Sequence, residues 1–146
     1  MIYVKQWKMN EITEDYVSYE VAKLLKEKGF NESCYTYYDD IDDTINRFDK
    51  GYHFNNTSYP WGVPYDVNKA KKYVVAPTLQ MAMKWLRRIH NVNIDIVSIW
   101  NQKRFEYQVF VVTPKNAKHC YVDNKLYLGY EEATEAGLKY ALKNLT

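Results

Sequence analysis

PTLQMAMKWLRRIHNVNIDIVSIW, residues 77–100, changes its periodicity half-way, and that change decides the fold. Thr78 follows Pro77 as a helix N-cap. Leu79, Ala82, Leu86 and Ile89 then recur on one helical face, with Met83 and Trp85 widening the apolar stripe. Gln80, Lys84, Arg87 and Asn91 fall on the opposite face. Arg87, Arg88 and His90 occupy the last turn, where positive charge complements the helix dipole, so His90 is read as ending a helix rather than as carrying chemistry. From Ile94 to Trp100 the pattern becomes β-branched with period-two elements, which predicts a strand. NQKR, 101–104, makes a hairpin turn, and EYQVFVVT, 106–113, is the returning strand.

The same grammar appears on either side. Ser18 caps VAKLLKEK, Val21, Leu24 and Leu25 form the buried stripe, and Gly29 is placed for a left-handed stop. CYTYY, 34–38, then reads as a strand. Towards the other end Gly129 caps a helix from Tyr130 to about Asn144 whose apolar face is Ala133, Gly137, Leu138, Ala141 and Leu142, with Glu135 and Lys139 a favourable i,i+4 pair. The three helix starts share a cap, a bulky residue, Glu or Gln, any residue, then Ala. The first two precede strands. The expected architecture is a single α+β domain over residues 1–146 in the order α-β-β-α-β-β-α, an antiparallel sheet packed by helices on one face, with a long insertion at 39–72. So short a similarity also arises from local capping rules, and the duplication stays open.

Composition bounds the remaining possibilities. A chain of 146 residues, 47% hydrophobic and 26% charged, lies far from the signature of disorder and buries about two thirds of its unfolded surface. Tyrosine is in surplus at 15 residues, for which AT-rich codon usage is the main reading and a recognition surface the lesser one. Cys34 and Cys120 match no metal-ligand spacing and read as reduced thiols, which with the lack of a leader or spanning segment predicts a cytoplasmic protein with no membrane contact.

Residues 39–72 break the pattern. In DDIDDTINRFDKG, Ile41, Ile45 and Phe48 share a helical face before Gly51, which predicts a short helix. In YHFNNTSYPWGVPYD, Tyr52, Phe54, Tyr59, Trp61 and Tyr65 lie among two prolines and a glycine as an irregular aromatic loop. An aromatic held by Pro and Gly loses little entropy on docking, so Trp61 is either a binding anchor or a cover for the sheet. Asp39, Asp40, Asp42 and Asp43 with His53 lack the frame of a calcium loop and read as a solvated helix start, so no metal is expected. His119 beside Cys120 is not a catalytic pair by adjacency, since a thiolate needs a base that meets it in space. The chain carries no Gly-rich phosphate cradle, no HExxH and no GxSxG, and neither catalytic residues nor a cofactor are assigned.

Lys84, Arg87 and Arg88 share an exposed arc, Lys69, Lys71 and Lys72 precede the YVVA strand, and Lys103 and Arg104 sit in the hairpin turn. With aromatics interleaved, such cations suit a nucleic-acid backbone. The net charge of +2 and a pI near 8.4 are low for a dedicated binder.

VSYEVAKLLKEKGFNESC, APTLQMAMKWLRRIHNVNIDI and YEEATEAGLKYAL together resemble a family of small uncharacterised proteins from anaerobic gut bacteria and their phages. The resemblance covers roughly two thirds of the chain, APTxQxAxKWLR being its most specific run. It implies a mobile-element origin and transfers no activity or catalytic residue. The 39–72 insertion departs from that family. The expectation is a binding protein of phage or prophage origin, leaning away from an enzyme, with a protein partner met by Tyr52, Phe54, Tyr59, Trp61 and Tyr65. The alternative is a nucleic-acid or signalling-nucleotide binder using Lys84, Arg87, Arg88 and Arg104. A homodimer is open.

Overall fold

The structure is a computed structural model that describes residues 13–39, 45–47, 73–113, 115, 117–122 and 124–146. Helix α1 (Tyr19–Glu27) leads into β1 (Thr36–Asp39), β2 (Ile45–Arg47) and β3 (Tyr73–Val75). Helix α2 (Leu79–Trp85) and a π-helical turn (Leu86–His90) lead into β4 (Val92–Ile99), β5 (Arg104–Val112) and β6 (Ala117–Val122), and α3 (Tyr130–Asn144) follows.

The α+β class holds, but the strands form two three-stranded antiparallel sheets rather than one, ordered β2-β1-β3 and β4-β5-β6. In the first sheet the strand nearest its helix in sequence is central, and in the second the middle strand is central. The two helix-plus-strand units are therefore alike in order and unlike in topology. Ile45, expected on a helical face, instead pairs as a strand with Tyr38, and Arg47 with Thr36.

Capping is where local sequence and tertiary structure meet. Ser18 Oγ accepts the Val21 N–H at 3.3 Å, and Thr78 Oγ1 accepts the Met81 N–H at 3.1 Å. A capping box would have an acid three residues after Ser18 return the bond, but that position is Val21. The acid comes from α3: Glu135 Oε1 accepts the Ser18 N–H at 3.1 Å. Glu20 meets Lys139 at 2.7 Å and Lys143 at 3.0 Å, a second tie between these helices. At the other end of α1, Gly29 takes φ +89°, with its N–H on Lys26 O and the Phe30 N–H on Leu25 O at 2.9 Å. This is a Schellman stop whose apolar closing residue is Phe30.

Helix α3 buries Ala133, Thr134, Gly137, Leu138, Ala141 and Leu142, the expected face with Thr134 added. It packs on α1, α2, β4 and β5, so one contiguous core joins both halves. Residue 137 is glycine for a steric reason. A Cβ there would stand 2.8 Å from Ile94 Cγ2 and 3.2 Å from Tyr107 Cγ.

The Ser18 cap makes stability depend on pH. Burial raises the Glu135 pKa above 4.5, and the bonds from Ser18 only partly offset that shift. A carboxyl whose folded pKa is raised holds its proton more tightly in the native state, so its contribution to stability falls as pH rises from about 4.5 through the folded value. Glu135→Gln keeps an acceptor for Ser18 and cannot titrate. Urea unfolding should find the variant more stable than wild type at pH 7, with the difference shrinking towards pH 4.

Candidate functional site

The π-helical turn places the site. Hydrogen bonding from i to i+5 rather than i+4 displaces everything after Trp85 from the α-helical register, so Ile89, expected in the core, is 58% exposed. Asn91 ends the segment in the left-handed region at φ 57°. His90 does end the helix, as its position predicts. Its ring lies 4.8 Å from Trp85, edge to face, and its Nε2 is enclosed without a hydrogen-bond partner among the described residues. Burial, and then the Lys28 charge, push its pKa below the usual value.

With Ile89 turned out, one helical face acquires an apolar row at i, i+4 spacing, Met81, Trp85 and Ile89, beside a basic row, Lys84 and Arg88. These five residues and Glu32, from the loop after α1, line a cavity of about 380 Å³. Trp85 forms its wall and is held in place, 7% exposed and edge to face with Phe30 at 5.5 Å. Met81 is half-buried, and Lys84, Arg88 and Glu32 are exposed.

The basic side chains of this face, Lys84, Arg87 and Arg88, form no hydrogen bond or ion pair among the described residues. Other cations of the fold are engaged: Lys26 donates to Tyr73 O at 3.1 Å, Lys28 to Thr146 O at 3.1 Å, and Lys139 and Lys143 sit on Glu20.

The structure thus brings Lys84 and Arg88 together on one cavity. Arg87 is exposed but is not part of its lining, and Arg104 serves its own turn, donating to Lys103 O at 3.1 Å and to Gln102 O at 3.5 Å. Tyr52, Phe54, Tyr59, Trp61 and Tyr65 lie outside the described residues, as do Asp40, Asp42, Asp43 and His53. Asp39 closes β1 opposite Tyr73. Glu32 and Met81 carry no signal in a core-stripe reading. Trp85 does, once 81, 85 and 89 are seen as a second row.

Cys34 is a free thiol, 5% exposed, its Sγ donating to Glu32 O at 3.6 Å. Burial, and then the Glu32 charge, push its pKa up to about 12. The thiolate is the nucleophile, so iodoacetamide at pH 8 should leave the Cys34 peptide unmodified in native protein and alkylate it fully in guanidinium, as read by peptide mass. Labelling of native protein at the rate of a free cysteine would refute the burial.

Among the described residues no helix is long and apolar enough to cross a membrane, and no three His, Cys, Asp or Glu side chains are placed to hold a metal ion. Comparison with family models, curated proteins and solved structures finds no match to this chain.

Proposed function

We propose that the protein is a non-enzymatic binding module of phage or prophage origin that engages a protein of its host, with the α2 cavity as one contact surface and the aromatic 52–65 loop as another. The observation that carries this reading is the pair of cations Lys84 and Arg88, without a partner among the described residues, set beside an apolar row that is open at Ile89. Beyond the complement Arg88 gives the helix dipole, such charges beside exposed apolar surface add little to folding, whereas a desolvated, electrostatically matched contact uses both.

Lys84→Glu with Arg88→Glu should lower capture of a stoichiometric, nuclease-resistant partner from host lysate by at least about ten-fold, while the protein stays folded and its melting temperature falls only by the lost charge–dipole contact at the helix end. Trp61→Ala with Tyr59→Ala tests the loop in the same assay. A partner retained at full yield by the charge-reversed protein removes the cavity from the reading.

The run of three exposed cations within five residues, Lys84, Arg87 and Arg88, none paired among the described residues, also favours a second reading, a nucleic-acid or signalling-nucleotide binder. It predicts binding to oligonucleotides or nucleotides that weakens steeply with salt. The buried Trp85 offers little open ring face for base stacking, which places this reading second.

A further inference from the structure

Building on the cavity reading above, we propose that the cavity lined by Met81, Lys84, Trp85, Arg88, Ile89 and Glu32 takes a short amphipathic helix of the partner, one whose apolar row lies beside an acidic row.

The arrangement of the lining selects this occupant. Met81, Trp85 and Ile89 form one row, and Lys84 and Arg88 form a second row alongside it, the members of each row standing four residues apart in the chain. A complementary ligand must offer two parallel rows on a single face. An extended peptide has alternate side chains on opposite faces, so it presents one row to a surface. A helix presents adjacent rows at i, i+4, offset from each other by one or three residues. The helix is therefore the backbone that matches both rows at once.

Charge sets the chemistry of those rows. Lys84 and Arg88 are exposed and without partners among the described residues, so carboxylates at i, i+4 on the incoming helix meet cations that no internal ion pair competes for. The apolar row of the ligand enters a cavity of about 380 Å³, room for one large side chain or two smaller ones against Trp85. Glu32, from the loop after α1, adds one acid to the lining and favours a Lys or Arg on the ligand beside it. The pattern on the ligand is an apolar row beside an acidic row, with a base where the ligand meets Glu32. A ligand with basic residues in place of its acids sets like charges against Lys84 and Arg88.

The test is a display library of 16-residue helix-forming peptides selected on the full chain, with the enriched peptides then synthesised and titrated by Trp fluorescence. The expected consensus has apolar residues at i, i+4 beside Asp or Glu at i, i+4, binds at least ten-fold more weakly to the Lys84→Glu, Arg88→Glu protein, and recovers when its acids are changed to Lys. Failure to enrich any peptide, a consensus without the acidic row, or binding indifferent to charge reversal would overturn the helix proposal. If lysate capture of a partner nevertheless depends on Lys84 and Arg88, the cavity stays a binding surface for a ligand of another shape. If that dependence is also missing, both readings fall.

Discussion

Replacing Phe30 by alanine should remove about 3–5 kcal/mol of stability, the range for emptying a fully buried aromatic site. Phe30 is 1% exposed and meets Trp85 edge to face at 5.5 Å. Its own N–H completes the stop of α1 on Leu25 O. The loss therefore combines the transfer of a ring to water, an unfilled space beneath Trp85 and a loosened helix end. Because a domain of this size is stable by only about 5–15 kcal/mol, the variant should melt far below wild type or fail to fold at growth temperature. Phe30→Leu keeps an apolar closing residue and should cost less than half as much. Urea denaturation of the two variants checks the order; an alanine variant within about 1 kcal/mol of wild type would mean that the α1 stop and the Trp85 wall do not share a core.

Gly137 is the second sensitive position, for the opposite reason. Alanine is a better helix former than glycine by about 1 kcal/mol, so an exposed glycine at this point of α3 would be improved by the change. Here the added methyl meets Ile94 Cγ2 at 2.8 Å and Tyr107 Cγ at 3.2 Å, side chains anchored in β4 and β5. Ile94 is β-branched and stiff at χ1, so relief requires α3 to move off the sheet. Gly137→Ala should be destabilising by about 1–3 kcal/mol despite the helix gain, and Gly137→Leu should be worse. Ile94→Ala opens the space that the new methyl needs. The double variant should lose less stability than the sum of the two single losses, and strict additivity in that cycle would refute the contact.

What could be read from the chain without coordinates is what is locally encoded. Ser18 and Thr78 cap the helices they begin, Gly29 stops α1, and Val92–Ile99 returns as Arg104–Val112, because each device is contained within a few consecutive residues. The failures are non-local. Ile41, Ile45 and Phe48 have helical spacing, yet Ile45–Arg47 is drawn into a sheet by Thr36–Tyr38, and cross-strand pairing outweighs a weak local period. Ala117–Val122 has no clear alternation of its own and becomes a strand by pairing with β5, where the register shifts between Val109 and Phe110. The π-helical turn leaves no compositional mark in LRRIH, and that single irregularity moves Ile89 from core to surface. The candidate site was legible to the same extent. Lys84 and Arg88 stand out as an exposed basic arc, but Glu32, nearly fifty residues away from the helix it faces, joins them only through the fold.

The bond from Ser18 to Glu135 spans 117 positions. At a synthesis rate of about 5–20 residues per second, roughly 6–23 s separate the two ends of that bond on the ribosome. The buried face of α1 waits for α3 through most of that interval, and the inner faces of β4 and β5 wait for it from their own synthesis onward, since α3 packs on all of these elements. The growing polypeptide is therefore sticky for seconds before it is stable. Until Leu138 and Leu142 emerge, Leu25, Val109 and their neighbours lack the partners that bury them in the finished core.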